Sequence, residues 1–227
     1  MSVNVVRDVD RFVKVERVLL SVSDKSGLDV FVPGLVEVNP AIHFYSTGGT
    51  FSALQKVLGE KAKAHLTQVS DYTGQPETQG GLVKTLDFKI YLGLLTEKYN
   101  DAHQADLTRT SAVAIDMVVV NLYPFKETVA KAGVTVEEAR SNIDIGGPCM
   151  VRASAKNYLR VASVTDPADY PRILDALAKN GGKLDIAFRF ALARKAFAHT
   201  AAYDSAIAKF LADSPDAAME KCYTFRD

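Results

Sequence analysis

The sequence predicts an α/β protein in which a mostly parallel sheet is covered by helices on both faces. Short apolar runs of strand length alternate along the chain with segments whose apolar residues recur at helical spacing. The run 117–120 (MVVV) is continuously apolar, which is typical of a strand buried on both faces of a parallel sheet. Ligands of such sheets bind beyond the carboxyl ends of the strands, so the loops at those ends are the candidate sites.

Length and composition narrow the class of protein. The 227 residues suffice for one large α/β domain, and 27 basic residues balance 27 acidic ones, so no overall charge attracts nucleic acid or an anionic membrane. The two cysteines and four histidines are too scattered for a metal site, and we predict no metal and no cofactor. There is no signal-peptide pattern and no apolar run of membrane-spanning length, so we expect a cytoplasmic protein.

The individual elements follow from local patterns. Strands are predicted where a short apolar run ends in a polar turn: 17–22, 42–45, 63–69, 112–122 and 160–164. Helices are predicted where apolar residues recur at helical spacing: 28–38, 51–58, 135–141, 149–156, 166–179 and 184–211. Residues 1–15 form a leader without clear periodicity, the loop 70–81 is unusually long, and 82–95 fits either a helix or a strand.

Local signals refine these elements. Pro33 lies inside the first predicted helix and is expected to kink or shorten it. Thr135 with Glu138 three residues later predicts a capping box at the start of another helix. The last predicted helix is alanine-rich and fits either one helix or two. We expect a domain of residues 1–213, followed by a polar tail, 214–227, that is loose and dispensable because it has little to bury.

The stretch 41–58 is the strongest candidate site. Its strand is followed by the polar turn 46–50 (STGGT) and then by a helix. This order places unpaired backbone N–H groups and the positive end of a helix dipole beside glycines that permit close approach, which favours a phosphate group. The turn has no P-loop lysine and no GxGxxG pattern, and the alternative is an ordinary turn in which Thr50 caps the helix.

Two further loops carry cations that could join such a site. Ser23 and Lys25 follow the first predicted strand, and they either converge on the same anion as the glycine turn or form a solvated turn. Lys84 follows a Gly-Gly pair in the long loop, where a lone lysine is usually a surface residue. Only the convergence of these loops at the strand ends favours a functional role for them.

The second half of the chain adds residues of equally open meaning. Tyr123 precedes a proline that holds it extended, and its alternative role is that of a packing tyrosine. Asp144 precedes a Gly-Gly-Pro sequence and has an alternative role as an acid at a helix N-terminus. Arg152 and Lys156 share one helical face, and they are either solvated or turned towards an anionic ligand.

Seven segments of the chain carry a resemblance to a known family. They are 19–28 (LLSVSDKSGL), 45–50 (YSTGGT), 69–77 (VSDYTGQPE), 80–86 (GGLVKTL), 119–125 (VVNLYPF), 143–157 (IDIGGPCMVRASAKN) and 196–207 (AFAHTAAYDSAI). In this order they resemble the IMP cyclohydrolase family, the domain that usually forms the N-terminal part of a bifunctional purine-biosynthesis enzyme with AICAR formyltransferase. The resemblance implies a fold like that of methylglyoxal synthase, with a five-stranded parallel sheet between helices.

The resemblance also implies an activity and partners. The implied reaction is the dehydrative ring closure of 5-formamidoimidazole-4-carboxamide ribotide (FAICAR) to inosine monophosphate (IMP), the last step of de novo purine biosynthesis, without a cofactor. The chain ends where the formyltransferase would begin, so we expect a free-standing cyclohydrolase supplied by a separate AICAR formyltransferase. We further expect a nucleotide ligand and a homodimer, and no binding of nucleic acid or membranes.

Residue by residue, the resemblance implies a site. The implied catalytic residues are Lys84, Tyr123, Asp144 and Lys156. Lys84 is implied at the formyl oxygen, and which of the other three acts as acid or base stays open. The residues implied to hold the 5′-phosphate are Ser23, Lys25, Ser46, Thr47, Gly48, Gly49 and Thr50. Those implied to meet the base or its carboxamide are Thr85, Val120, Asn121, Ile145 and Gly146.

The chain departs from the family pattern mainly on the base side. Leu82 stands where the family has an arginine that helps to bind the base, and Asp87 and Phe88 replace a His-Pro pair. Tyr91 and Tyr158 each stand in place of a histidine. We expect an active enzyme with a rearranged wall. The departures favour one alternative, a non-catalytic nucleotide sensor of the same fold; methylglyoxal synthase itself would need a histidine, and the strand-end loops contain none.

Overall fold

The strands form two sheets within residues 5–76 and 84–226, which are the residues that this computed structural model describes. The strands are β1 (Phe12–Lys14), β2 (Arg17–Val22), β3 (His43–Ser46), β4 (Leu66–Gln68), β5 (Met117–Asn121), β6 (Ala162–Val164) and β7 (Lys183–Asp185). β2 to β6 form one sheet in the order β4-β3-β2-β5-β6, and every pair in it is parallel. The predicted five-stranded sheet is therefore confirmed.

Helices connect the strands. They are α1 (Leu28–Val38), α2 (Gly48–Leu58), α3 (Ala62–His65), α4 (Val69–Thr73), α5 (Phe88–Leu95), α6 (Asp101–Arg109), α7 (Phe125–Val129), α8 (Val136–Ser141), α9 (Gly146–Lys156), α10 (Tyr170–Lys179), α11 (Ile186–Asp213) and α12 (Asp216–Glu220). α1, α2 and α10 pack on one face of the five-stranded sheet, and α5, α9 and α11 pack on the other. Both faces are covered, which explains why β5 is apolar at consecutive positions.

The strand register aligns the loops that matter for function. Leu20 of β2 lies opposite Ser46 of β3, and Val22 lies opposite Asn121 of β5. The loops after β2, β3 and β5 therefore begin at one edge of the sheet, which we call the carboxyl edge, and the opposite edge is the amino edge. Because the strands are parallel, the helix that follows each strand begins at the carboxyl edge.

Elements with strong local signals match their predictions. α1 spans the predicted range, and Pro33 does not shorten it. α8 has the predicted capping box between Thr135 and Glu138. The segment 82–95 is helical from Phe88 onwards, as α5. The last long helix, α11, is a single helix of 28 residues.

The helices α4, which lies mostly in the predicted loop 70–81, and α7 have no predicted counterpart, and four further parts of the chain differ from the predictions. Residues of the leader form β1 because Val13 pairs with Leu184 of β7, a partner near the other end of the chain. The polar helix α6 buries only Leu107, so it has no periodic apolar signal. The predicted third strand begins as α3, and only its last part pairs as β4. The tail contains the short helix α12, and the Tyr223 hydroxyl donates a 2.5 Å hydrogen bond to Glu137. That the tail is loose and dispensable stays a prediction.

Arg189 of α11 joins segments that lie far apart in the sequence. Its side chain is buried and donates to the backbone carbonyls of Asp10, Leu184, Tyr158 and Leu159. One guanidinium therefore fixes the leader, β7 and the turn after α9 against α11, although these segments are distant in sequence. Burial lowers the pKa of Arg189 to about 10, so the group is still charged at neutral pH and depends on these carbonyls for compensation.

We predict that Arg189→Met destabilises the protein by about 3 kcal/mol or more, because it leaves several buried carbonyls without a donor. Urea unfolding followed by circular dichroism measures the change in the free energy of unfolding. The control is Arg194→Met on the same helix, where the exposed guanidinium lies 4.6 Å from the Phe190 ring and should contribute only about 0.5–1 kcal/mol. Equal effects of the two substitutions would contradict the role of Arg189.

Candidate active site

The N-terminus of α2 presents free backbone donors at the carboxyl edge. Gly48 and Gly49 form its first turn, and Gly48 has φ +50°, a conformation that favours glycine. Thr47 occupies the N-cap position but makes no side-chain capping hydrogen bond. The first-turn N–H groups of a helix have no acceptor within that helix, so those of α2 are available to an anion.

Two lysine ammonium groups lie beside this turn. A Cβ atom built on Gly48 would lie 3.1 Å from Lys84 Nζ, and one built on Gly49 would lie 4.0 Å from Lys25 Nζ. Lys84 and Lys25 come from different loops, as the sequence predicts. Two cations above unpaired N–H groups form a local anion site in a chain whose total charge is zero.

Two of the hydroxyls predicted to hold the phosphate are used elsewhere. The Ser46 hydroxyl is fully buried and donates to the carbonyl of Leu20 at 2.9 Å. The Thr50 hydroxyl accepts from the N–H of Val22 at 3.0 Å and donates to the Val22 carbonyl, which ties α2 to the end of β2. Both hydroxyls therefore donate within the protein, and contact of these two residues with a phosphate stays a prediction. The alternative that Thr50 is the N-cap is wrong, because Thr47 holds that position.

A second helix N-terminus, that of α9, lies at the same edge and carries Asp144. The Asp144 carboxylate accepts from the N–H of Gly147 at 2.9 Å and also from the backbone of Tyr123. A Cβ atom on Gly147 would lie 2.5 Å from Asp144 Oδ2 and 2.7 Å from Leu122, so glycine is required for this close packing. Burial raises the pKa of Asp144, and the two backbone donors oppose that rise.

Lys84 and Thr85 connect the two helix N-termini. The Lys84 ammonium lies beside Gly48 of α2, whereas the buried Thr85 hydroxyl lies 2.9 Å from the place of a Cβ atom on Gly146 of α9. Because these two residues are consecutive, the anion site and the Asp144 carboxylate belong to one continuous region. A ligand that spans it needs an anionic group at one end and hydrogen-bonding groups at the other.

The remaining predicted residues of the carboxyl edge have mixed surroundings. Asn121 accepts from the N–H groups of Ser23 and Asp24 at 2.6 and 2.8 Å, so its amide braces the loop after β2. The Val120 side chain is buried in the core, which leaves only its backbone for a ligand. Tyr123 and Ile145 are both more than half exposed at this edge. Their roles towards a ligand stay predictions.

Lys156 is not brought to the site within this chain. It lies in the last turn of α9, whereas Asp144 lies just before the first turn. Ten residues of helical rise separate Gly146 from Lys156, which corresponds to about 15 Å. Its neighbour Asn157 donates to the carbonyls of Leu94 and Thr96, next to the amino edge. The expectation that Lys156 acts beside Asp144 therefore has no geometric support here.

The residues that depart from the family pattern have individual structural roles. Leu82 lies outside the described residues. Asp87 caps α5 by accepting from the N–H of Lys89 at 2.8 Å, and Phe88 is exposed. The Tyr91 hydroxyl is buried, and burial together with nearby Cys149 raises its pKa. Tyr158 packs its ring against that of Phe190 at 4.9 Å.

Two residues of α11 also reach this region, and the sequence reasoning assigned them no role. His199 and Tyr203 line a cleft of about 390 Å³ together with Ser23, Asn121 and Tyr123. Burial lowers the pKa of His199. The sequence signal for these two residues is the segment 196–207, which carries the family resemblance but indicates no chemical role by itself.

The described residues offer neither a metal site nor a membrane-spanning helix. Within residues 5–76 and 84–226, no group of His, Cys, Asp and Glu side chains could hold a metal ion. Over the same residues, none of the helices combines the length and apolar character that crossing a bilayer requires.

The parallel sheet and the anion site at its carboxyl edge define an MGS-like domain, and the chain matches that family over residues 28–149. Residues 154–226 match the family described as AICARFT/IMPCHase bienzyme. The chain therefore belongs to the MGS-like family, and its similarity to the bienzyme family lies in the C-terminal part of the chain.

Individual relatives agree with this assignment. The bifunctional purine biosynthesis protein PurH of Magnetococcus marinus is 50% identical over 198 residues, and that of Ruminiclostridium cellulolyticum is 44% identical over 200 residues. The matches cover 87% and 88% of this chain but only 36% and 37% of those proteins. The crystal structure of ForH superposes with a TM-score of 0.70 at 30% identity and covers 87% of this chain and 99% of ForH.

We predict that Gly48→Val weakens the binding of IMP at least 100-fold. The added side chain would occupy the space beside Lys84 Nζ and remove about two charge-assisted hydrogen bonds, each worth about 1.5–3 kcal/mol. Isothermal titration calorimetry measures the affinity. The matched control is Gly59→Val at the other end of α2, which also has a positive φ but has no atom within 4 Å of the added Cβ. Equal affinities of the two variants would place the anion site elsewhere.

Proposed function

We propose that this chain is an IMP cyclohydrolase, which closes the ring of FAICAR to give IMP. One observation carries the proposal. The consecutive residues Lys84 and Thr85 connect the cationic N-terminus of α2 with the N-terminus of α9, which holds the half-buried Asp144 carboxylate. The 5′-phosphate would bind at α2, beside Lys25 and the first-turn N–H groups. The base would then lie towards Asp144 and Gly146.

The reaction sets clear demands on the site. The carboxamide nitrogen attacks the formyl carbon, a C–N bond forms, and the formyl oxygen leaves as water. That water takes one proton from the carboxamide nitrogen and one from the formamide nitrogen. Because an amide is a weak nucleophile, the site must hold the two groups together, stabilise charge on the formyl oxygen and move both protons.

The residues at the carboxyl edge match these demands. Lys84 would turn its ammonium from Gly48 towards the formyl oxygen when the nucleotide binds, because its segment continues into Thr85 at the N-terminus of α9. The phosphate would then be held by Lys25 and the first-turn N–H groups of α2. Asp144 would hold the carboxamide and accept its proton, since burial raises the pKa of this carboxyl and so increases its basicity. Tyr123 would exchange the second proton at the exposed side of the site. Lys156 lies at the far end of α9 within the same chain, and its role in proton transfer stays a prediction.

The half-buried Asp144 favours an enzyme over a nucleotide sensor. Phosphate binding at α2 needs cations and N–H groups, and a carboxylate held near the same ligand would oppose it. Keeping a carboxylate half-buried also costs free energy, which a proton-transfer role would account for. The homodimer and the supply of substrate by an AICAR formyltransferase stay predictions.

Incubation of the purified chain with FAICAR tests the proposal directly. We expect IMP to accumulate, as measured by chromatography against an authentic standard. Tight binding of IMP without turnover would contradict the proposal and favour the sensor. If the chain neither binds IMP nor forms it, the proposal that its ligand is a nucleotide fails as well.

We predict that Lys84→Met slows ring closure at least 100-fold while the affinity for IMP stays within about fivefold. Removing a donor to charge that exists only in the transition state lowers kcat and largely preserves ground-state binding. Methionine retains most of the volume of the stem. Lys56→Met, on the exposed last turn of α2, is the control and should leave both quantities unchanged.

Other effects of Lys84→Met on kcat and on the affinity for IMP would revise the role of Lys84. If the affinity for IMP falls as much as kcat does, the ammonium serves the phosphate, in line with its place beside Gly48. If neither quantity changes, Lys84 is a surface residue and the mechanism above is wrong.

A further inference from the structure

The segment 196–207 of α11 has no part in the proposed mechanism, yet it contacts the site through Tyr203. This side chain is only 8% exposed. Its hydroxyl accepts a hydrogen bond from the backbone N–H of Asp144 at 2.8 Å. The same hydroxyl lies 3.4 Å from the carbonyl of Asn142, to which it donates. One phenol therefore holds both ends of the short turn that carries Asp144.

This turn controls where the carboxylate lies. Asp144 is anchored at its backbone by Tyr203 and at its carboxylate by the N–H of Gly147, at 2.9 Å. The space around it leaves no slack, because a Cβ atom on Gly147 would lie 2.5 Å from Asp144 Oδ2. A loss of the backbone anchor would leave the N–H of Asp144 without its acceptor and would let the turn move relative to α9.

The ring of Tyr203 is held independently of its hydroxyl. It packs edge-on against Phe125 with 6.1 Å between ring centres, and Phe125 in turn packs edge-on against Phe210 of α11. These contacts do not involve the oxygen atom. Removal of the hydroxyl alone should therefore preserve the packing of α11 and test only the hydrogen bonds to the turn.

We propose that Tyr203 is a positioning residue for ring closure: its hydroxyl fixes the turn 142–144 and so keeps the Asp144 carboxylate in its reactive place. The proposal rests on the proposed function, in which Asp144 contacts the carboxamide. Tyr203 itself acts through Asp144 and touches no reacting atom. A displacement of about 1 Å in such a group can reduce a rate by about 100-fold.

The test compares Tyr203→Phe with Tyr72→Phe. The Tyr72 hydroxyl also accepts a backbone N–H, that of Val113 at 2.9 Å, but Val113 precedes β5 and is not part of the turn that carries Asp144. We expect Tyr203→Phe to lower kcat about 10- to 100-fold and to change the affinity for IMP less than threefold. Tyr72→Phe should leave kcat within twofold of the parent. A purely structural role of Tyr203 would give the two variants the same kcat.

A second readout does not depend on activity. Amide hydrogen exchange of Gly147 reports the hydrogen bond to the Asp144 carboxylate, and it should become at least tenfold faster in Tyr203→Phe but not in Tyr72→Phe. If the parent forms no IMP, the proposed function fails, and exchange at Gly147 still decides whether Tyr203 holds the carboxylate. Unchanged exchange, or an unchanged kcat in an active parent, would overturn the inference.

Discussion

The common direction of the five paired strands is the constraint on which the rest of the structure depends. Because every strand of this sheet is parallel to its neighbours, α2, which follows β3, and α9, which leads into β6, both begin at the carboxyl edge. The first-turn N–H groups of α2 have no acceptor within the helix, and Lys25 and Lys84 add positive charge beside them. At α9 the N–H of Gly147 holds the Asp144 carboxylate. A chain without net charge thus acquires a local anion site through topology alone.

The carboxyl edge combines residues that brace it with residues that remain free for a ligand. The hydroxyl of Thr50 and the amide of Asn121 tie the loops after β2, β3 and β5 to one another. These bonds occupy groups that a ligand would otherwise use. They also hold the glycine turn and the lysines in place, which lowers the cost of ordering the site when a nucleotide binds. Some polar residues of a sequence motif therefore stabilise the loops, and others remain available to bind the ligand.

Local patterns in the sequence predicted much of this fold, since α1, α8 and the run in β5 carry their own signals. The pairing of β1 with β7 and the hydrogen bonds from Arg189 to backbone carbonyls join segments that are distant in sequence. Such contacts produce no periodic pattern in the sequence, so they could not be predicted from it. Lys25 and the glycine turn follow strands directly, so their place at the carboxyl edge could be predicted from the sequence. Lys156 lies about 15 Å along α9 from Gly146, a separation that the closeness of the two residues in sequence hides, and its role stays a prediction. The contact of Tyr203 with Asp144 exists only in the packed fold and leaves no sequence pattern.

The central claim is that one nucleotide spans the N-termini of α2 and α9. Titration of the ¹⁵N-labelled chain with IMP, followed by two-dimensional NMR, tests it most directly. The account predicts that the largest amide shifts occur at Gly48, Gly49, Gly146 and Gly147, and that they saturate together with one dissociation constant. Shifts confined to the cleft beside His199, with the four glycines unmoved, would contradict it.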